Sequence, residues 1–253
     1  MELKVKKGTG RAPALAQIVD WLDRTLDVAA FDDVSNNGVQ IARRDGNAPV
    51  SCVAFAVDAS VRAVRAAADA GAQLLVVHHG LSWGGGIKRL TGGVYNVVRA
   101  ALDADLALYA CHLPLDAHPT LGNNAGLAKE LGLRGLFPAF RYHGQTIGFT
   151  GMQGTGRRAV RVGVCSGGAG EFAEEAQRLG CGRFVTGEAS WGEVIAAENV
   201  GMKMVCLGHY ETEVYGVRAV AAAMKKALKV TTRDLTDDLR PRAAEPSEAG
   251  ARR

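Results

Sequence analysis

The strongest constraint on the fold is residues 74–80, an apolar run that ends in two adjacent histidines and a glycine. The run is too short for a typical helix and rich in branched side chains, so it predicts a buried strand. In an open α/β sheet, ligands bind beyond the carboxyl ends of the strands, and neutral imidazole is the commonest metal ligand. The chain has six histidines in all. The pair at this strand end, His78 and His79, therefore predicts a metal site.

The same pattern of strand, turn and helix recurs along the chain. Apolar runs of strand length alternate with segments of helical periodicity, and glycine often stands between them. This alternation is typical of an α/β fold with parallel strands. A length of 253 residues suits one large domain or two small ones. Residues 134–156 are less regular, although residues 145–151 and 159–165 are expected to form two strands of a hairpin.

Four of the predicted units end in side chains that can bind a metal. If the strands run in the same direction within their sheets, these ends can face one cleft. The residues concerned are His78 with His79, His112 with Asp116, Glu188, and His209 with Glu213.

The spacing of these residues adds geometric support. His209 and Glu213 are i, i+4 at the start of a predicted helix, so their side chains share one face. Asp116 is expected in a loop between Pro114 and Pro119, from which its carboxylate could bridge two ions. Three imidazoles and two carboxylates are more ligands than one catalytic zinc usually takes, and they suit two neighbouring ions.

Two further residues are open to several roles. His112 could be a metal ligand, a partner that orients a ligand, or a proton carrier. Glu188 could orient a ligand or cap a helix. Both are therefore candidate catalytic residues for proton transfer, with the orienting role as the alternative. His118 and His143 carry no site prediction.

Composition argues against several classes of protein. A net charge of +4 is modest, so a nucleic-acid partner is not expected. No apolar run is long enough to span a bilayer, and no signal-peptide pattern follows the basic start. The five dispersed cysteines form no C-x-x-C motif, which predicts reduced thiols in a cytoplasmic protein. Buried positions are expected for Cys52, Cys111, Cys165 and Cys206, which lie in apolar runs.

Six short stretches together resemble a known family. They read NGVQ at 37–40, VVHHG at 76–80, HLPLDAH at 112–118, LGNN at 121–124, VTGE at 185–188 and GHYETE at 208–213. In order and spacing they are similar to the Nif-three-like family of dinuclear-metal proteins. The similarity is greatest to its shorter YbgI-type members, also labelled GTP cyclohydrolase I type 2 homologues. Val39 stands where the family usually has Leu, and Gly80 where many longer relatives have Pro.

The resemblance implies an α/β fold of two domains with layered helix–sheet packing and a dinuclear metal site between them. We expect residues 1–133 plus 208–238 to form the first domain, 134–207 the second, and 239–253 a disordered tail. The family also implies a ring-shaped homohexamer. The metals would be two divalent ions per subunit, of zinc, manganese, iron, cobalt or nickel. The ligand set that the resemblance implies is His78, His79, Asp116, His209 and Glu213.

Two functions remain open at this point. The first is a metal-dependent hydrolase that acts on a small molecule or nucleotide, and the family label suggests ring opening of GTP. The second is a non-catalytic protein that stores, delivers or senses metal, or a ring scaffold with a structural metal pair. No guanine or triphosphate motif is recognisable, but Lys88, Arg89 and the glycine-rich residues 166–170 could contact phosphate.

Overall fold

The computed structural model describes residues 12–241, which contain two five-stranded sheets flanked by helices. The strands are β1 (Gly38–Ile41), β2 (Cys52–Asp58), β3 (Leu74–His79), β4 (Ala107–Ala110), β5 (Arg134–Tyr142), β6 (Gln145–Gln153), β7 (Val160–Gly168), β8 (Arg183–Glu188), β9 (Met204–Cys206) and β10 (Thr231–Asp234). The helices are α1 (Leu15–Leu26), α2 (Val61–Asp69), α3 (Gly92–Asp103), α4 (Leu113–Ala117), α5 (Asn123–Glu130), α6 (Ala173–Arg178), α7 (Trp191–Asn199), α8 (His209–Leu228) and α9 (Thr236–Leu239).

The first sheet has the strand order β1-β4-β3-β2-β10. Its strands β4, β3, β2 and β10 are parallel, and β1 pairs with β4 in the antiparallel sense. Because β2, β3 and β4 run in the same direction, the residues that follow them reach one edge of the sheet. In the register of β2 and β3, Asp58 lies opposite His79.

Both faces of the first sheet are covered, as expected for parallel strands. Residues alternate between the faces of β2: Phe55 packs with α1 and α8, whereas Ala54 packs with α2 and α3. Helix α1 buries Ile18 and Leu22 at helical spacing against the sheet. Helix α2 begins as expected at Ser60, whose side chain accepts a hydrogen bond from the backbone N–H of Ala63.

The second sheet has the order β5-β6-β7-β8-β9. Its strands β5, β6 and β7 are antiparallel, and β7, β8 and β9 are parallel. Helix α8 packs against β2 and β3 of the first sheet and against β7 and β8 of the second. This one helix therefore holds the carboxyl ends of the parallel strands of both sheets near each other.

The two-sheet α/β architecture confirms the predicted fold class, but several local predictions were wrong. Residues 134–142 form the edge strand β5, whose pairing with β6 shifts register between Arg134 and Phe137. The sequence does not indicate this strand, because its first five residues are exposed and show no alternation. Asp116 lies in the short helix α4 rather than in a loop, since Pro114 is tolerated in the first turn of a helix. The sequence predicts Asn123 or Asn124 as the N-cap of the helix that follows, whereas the N-cap of α5 is Gly122.

Other predictions concern Cys206, the last strand, the domain boundaries and the C-terminal tail. Cys206 is exposed rather than buried because it ends the edge strand β9. The last strand, Thr231–Asp234, extends beyond the predicted residue 232 and is followed by α9. The proposed domain boundaries stay a prediction, and the expected disordered tail lies outside the described residues from position 242 onward. Between residues 12 and 241, no helix combines the length and apolar character that a membrane span requires.

Candidate metal centre

Four histidines meet where the parallel strands of the two sheets end. His78 and His79 are the last residues of β3, His112 follows β4, and His209 opens α8 just after β9. The ring centroids are 4.5 Å apart for His78 and His79, 5.1 Å for His78 and His112, and 5.5 Å for His79 and His209. The strand-end histidines of both sheets therefore form one cluster.

Each of the four imidazole rings is held at Nδ1 by a protein oxygen. An Nδ1–H that donates to oxygen leaves the lone pair of a neutral ring on Nε2, which is the usual arrangement of a histidine that binds metal. The pairs are His78 with the Cys111 carbonyl at 3.0 Å, and His79 with Asp58, His112 with Asp33 and His209 with Glu188, each at 2.9 Å.

Two buried carboxylates lie opposite these Nε2 atoms. Glu213 Oε1 is 3.1 Å from His209 Nε2 and 3.6 Å from His78 Nε2, and its Oε2 is 3.4 Å from His79 Nε2. Asp116 Oδ2 is 3.5 Å from His78 Nε2. Glu213 thus faces three imidazoles at once.

Two of these atoms are buried without a hydrogen-bond partner: Nε2 of His78 and Oε2 of Glu213. A buried polar atom that lacks a partner carries a desolvation penalty of about 1–3 kcal/mol. The nearby donor atoms fall into three groups, within each of which they lie no more than 4.8 Å apart. These groups are His78, His79 and His112; His79, His209 and Glu213; and His78, Asp116 and Glu213. Nitrogen and carboxylate donors in this arrangement fit divalent metal ions.

The electrostatics of the cluster favour positive charge. Burial alone would lower the pKa of His78, but Asp116 and Glu213 raise it to about 10. The pKa of His209 is raised to about 9, chiefly by its hydrogen bond to Glu213. Burial alone would raise the pKa of Glu213, yet His78 and His209 hold it well below its usual range. The site therefore stabilises cationic groups inside the protein.

Side chains behind the ligands hold Asp116 in place. Its Oδ1 accepts hydrogen bonds from Asn123 Nδ2 at 2.9 Å and from Ser166 Oγ at 3.1 Å. Asn123 Oδ1 in turn accepts from the backbone N–H of Gly216 in α8 at 2.7 Å. The other oxygen of Asp116 stays directed toward His78. This network connects α4, α5, β7 and α8.

The cluster lies in the wall of a cavity of about 680 Å³ that is lined from both sheets. Four aromatic residues line the cavity: Trp83, Tyr142, Phe172 and Tyr210. The Trp83 ring meets that of His112 edge to face, with 5.0 Å between the centroids. The arrangement thus combines a cation site with an aromatic pocket.

All seven residues singled out from the sequence lie in or beside this cluster. Glu188 lies behind His209 and holds its Nδ1, and His112 is held in the same way by Asp33. His118 lies outside the groups, where its Nδ1 accepts from the backbone N–H of Thr120 and Leu121. His143, for which the sequence made no site prediction, also lies outside them.

Sequence reasoning missed Asp58 and Asp33, which hold His79 and His112. Asp58 ends a strand just as His79 does, so the same strand-end rule would have found it. Asp33 lies in an irregular segment before β1. Its Oδ1 lies 2.9 Å from His112 Nδ1, and its Oδ2 accepts hydrogen bonds from the backbone N–H of Leu113 and from the side chain of Asn37. No local pattern indicates that role.

Within residues 166–170, for which phosphate contacts were considered, three backbone amides already have partners inside the protein. The backbone N–H groups of Ser166, Gly167 and Ala169 already donate to Asn124 Oδ1, Thr212 Oγ1 and Thr186 Oγ1. These glycines allow close packing instead: a Cβ on Gly167 would lie 2.4 Å from Glu213 Oε1. Lys88 and Arg89 do not line the cavity.

The chain has a two-sheet α/β fold with a buried His/Asp/Glu cluster between the sheets. These features place it among candidate metal-binding α/β proteins. Within that class, the chain belongs to the Duf34/NIF3 (NGG1p interacting factor 3) family, whose model matches residues 13–155 and 141–237. The resemblance inferred from the sequence motifs is thereby confirmed.

Relatives and solved structures agree with this assignment. A "GTP cyclohydrolase 1 type 2 homolog" of Deinococcus radiodurans is 40% identical over 83% of this chain and 88% of its own length. The Pyrococcus horikoshii protein of the same name is 36% identical over 85% of this chain and 95% of its own length. The solved structure of protein ybgI superposes with a TM-score of 0.82 at 28% identity, covering 91% of this chain and all of that one. A solved structure from Thermus thermophilus superposes with a TM-score of 0.75 at 29% identity, covering 91% of this chain and all of that one.

Proposed function

We propose that this protein binds two divalent metal ions and acts as a metal-dependent hydrolase. The observation that carries the proposal is the pair of buried atoms without partners, His78 Nε2 and Glu213 Oε2, within a set of imidazole and carboxylate donors. The proposed ligands are His78, His79, Asp116, His209 and Glu213. Glu213 is the best candidate for a ligand shared between both ions, because its two oxygens face different histidines.

A bound pair of divalent ions supplies two kinds of chemistry, acidification of water and polarisation of a substrate carbonyl, phosphoryl group or ring carbon. The chain's own residues would do the rest. Asp33 holds His112 at Nδ1, so that the Nε2 atom is available to accept or donate a proton beside the ligands. Glu188 orients His209 and is a positioning residue in this proposal.

The relatives' printed name makes GTP the first substrate to test. Purified protein loaded with zinc, manganese, iron, cobalt or nickel is assayed against GTP, other nucleotides, phosphoesters and neutral cyclic amides. Turnover is expected to require metal and to fall at least 100-fold in His79→Ala and Asp116→Ala. His143→Ala is the matched control, since His143 lies outside the cluster, and it should keep wild-type activity.

The contrary outcomes are specific. Turnover that persists unchanged in both ligand variants would disprove the metal mechanism. Two bound ions without turnover on any substrate, together with transfer of metal to an apo-acceptor protein, would favour the non-catalytic role in storage or delivery. Elemental analysis of protein purified without added metal identifies the ion in either case.

Assembly into a homohexameric ring is a further proposal, supported by apolar side chains at the surface. Trp191 is 78% exposed and Phe137 67% exposed. Light scattering after size exclusion should give six times the chain mass of 26.6 kDa. Trp191→Glu and Phe137→Glu should reduce that mass if these side chains lie in the interfaces, and a monomeric wild-type protein would refute the ring.

A further inference from the structure

We propose that the cavity beside the metal centre takes an uncharged heteroaromatic ring compound without phosphate groups, rather than a nucleoside triphosphate. The inference rests on the proposed function in that it names the substrate class of the same site. Three properties of the cavity carry it: its charge, the engagement of its backbone amides, and its aromatic lining.

Charge is the first property. Among the described residues that line the cavity there is no lysine or arginine, whereas four are acidic: Asp58, Asp116, Glu171 and Glu213. Their four negative charges balance the four positive charges of two divalent ions. A cavity that is close to neutral when both ions are bound offers no net electrostatic attraction to a triphosphate. Phosphate sites in proteins normally combine the metal with Arg, Lys or free backbone amides.

The backbone amides are the second property. A glycine-rich turn binds phosphate only if its N–H groups are free to point at the anion. In residues 166–169 the N–H groups of Ser166, Gly167 and Ala169 are taken by Asn124, Thr212 and Thr186. Two of these acceptors, Asn124 and Thr186, are fully buried, so that a phosphate cannot displace them without unpacking the interior.

The aromatic lining is the third property. Trp83, Tyr142 and Phe172 line the same cavity as His112, and Trp83 is 37% exposed. Its indole Nε1–H donates to the Gly80 carbonyl at 3.0 Å, which fixes the ring near the metal ligands. Aromatic walls favour flat rings, because ring faces stack on them and the polar edge of the ring can reach the metal side of the cavity.

Gln40 supports the position of Trp83. Its Oε1 accepts from the backbone N–H of Leu81 at 2.6 Å and of Ser82 at 3.2 Å, and its Nε2 donates to the Asn36 carbonyl at 2.9 Å. A Cβ on Gly80 would lie 2.4 Å from the Gln40 amide. The motifs NGVQ and HHG are thus packed together. Gln40 thereby holds the start of the loop that carries Trp83.

The test measures binding, not turnover. Metal-loaded protein is titrated by calorimetry with hypoxanthine, pterin and guanosine as neutral rings and with GTP as the charged counterpart. Metal content is determined after each titration, so that metal removal by the triphosphate is not counted as binding. At least one neutral ring should bind one per subunit, and GTP should bind no more tightly than guanosine.

Variants separate the ring contact from the charge effect. Trp83→Leu should weaken binding of the neutral ring at least tenfold, and Trp83→Phe should restore most of it. Tyr95→Leu, which alters an exposed aromatic residue of α3 outside the cavity, should leave binding unchanged. Glu171→Gln should strengthen GTP binding several-fold relative to guanosine, whereas Glu198→Gln, on the exposed side of α7, should not.

The inference is overturned if GTP binds tenfold or more tightly than guanosine, if none of the neutral rings binds, or if Trp83→Leu binds them as wild type does. These outcomes are independent of the hydrolase proposal. A ring that binds to a protein that turns over no compound of the substrate panel counts against the hydrolase alone. Tight binding with turnover of GTP refutes the substrate class alone.

Discussion

His79 Nδ1 lies 2.9 Å from Asp58 Oδ1, and the two residues face each other across the neighbouring parallel strands β2 and β3. The register of the first sheet therefore sets the orientation of one imidazole in the candidate metal centre. Asp58 itself is about half exposed, with 49% of its side-chain surface accessible. Its contribution is thus expected in the positioning of His79 rather than in the stability of the fold.

Replacement of this carboxylate should weaken metal binding without unfolding the protein. Loss of a carboxylate that orients a metal-ligating histidine typically lowers metal affinity by about 10–100-fold. Asp58→Ala should show such a loss in chelator competition, with Asp58→Asn intermediate because it can still accept a hydrogen bond. Asp103→Ala, on the outer face of α3, is the control and should bind metal normally. An unchanged affinity in Asp58→Ala would show that β2 plays no part in the centre.

Removal of metal should lower thermal stability. A ligand that binds only the folded state stabilises it by about 2.7 kcal/mol when its free concentration is 100 times Kd. For a chain of this size, that corresponds to a rise in Tm of about 5–10 °C. Calorimetric scans of loaded and chelator-treated protein should differ by this amount. In Asp116→Ala the two scans should nearly coincide, and an equal shift in that variant would exclude Asp116 as a ligand.

Asn123 should matter for stability because it is fully buried and connects Asp116 with the backbone of Gly216. Asn123→Ala removes the hydrogen bonds that Asn123 makes to Asp116 and to the backbone N–H of Gly216. We therefore expect a loss of about 1–3 kcal/mol in the free energy of unfolding. Denaturant titration of the metal-free protein measures this loss. Asn199→Ala, at the exposed end of α7, should change the free energy by less than about 0.5 kcal/mol. Similar values for both variants would contradict the network.

Asp33 should confer a pH dependence on stability. Burial alone would raise its pKa, but the hydrogen bond and charge of His112, together with the N–H of Ser35, lower it to about 2. A carboxylate with a depressed pKa in the folded state stabilises the protein above its unfolded pKa, and this contribution is lost as the pH falls toward the folded value. The Tm difference between wild type and Asp33→Asn should thus be constant above about pH 5 and shrink between about pH 4 and 2.

The control for this measurement is Asp237→Asn. Asp237 is a highly exposed acid in α9, and its variant should follow wild type across the whole pH range. If the Tm difference between wild type and Asp33→Asn grew as the pH fell, it would have the wrong sign. That result would contradict the assigned interaction between Asp33 and His112.

Local sequence patterns were sufficient for much of the fold. The branched apolar run that ends at His79 predicted β3, and the alternation of apolar runs with segments of helical periodicity predicted the α/β class. These patterns depend on neighbours within one turn or one strand, so they can be read directly. Strand β5 could not be predicted in this way, because its exposed first half has no alternation to recognise.

The candidate ligands followed from the residue types at strand ends, but their arrangement depends on contacts between distant parts of the chain. His79 and Glu213 come within 3.4 Å only because α8 packs against both sheets. The roles of Asp58 and Asp33 depend on strand register and on an irregular segment, respectively. The amides of Ser166 and Gly167, which support the substrate class proposed above, are engaged by Asn124 and Thr212, more than 40 positions away in sequence. The sequence alone shows which residue types stand at the strand ends. Long-range packing decides which of these side chains come together and which backbone amides find hydrogen-bond partners.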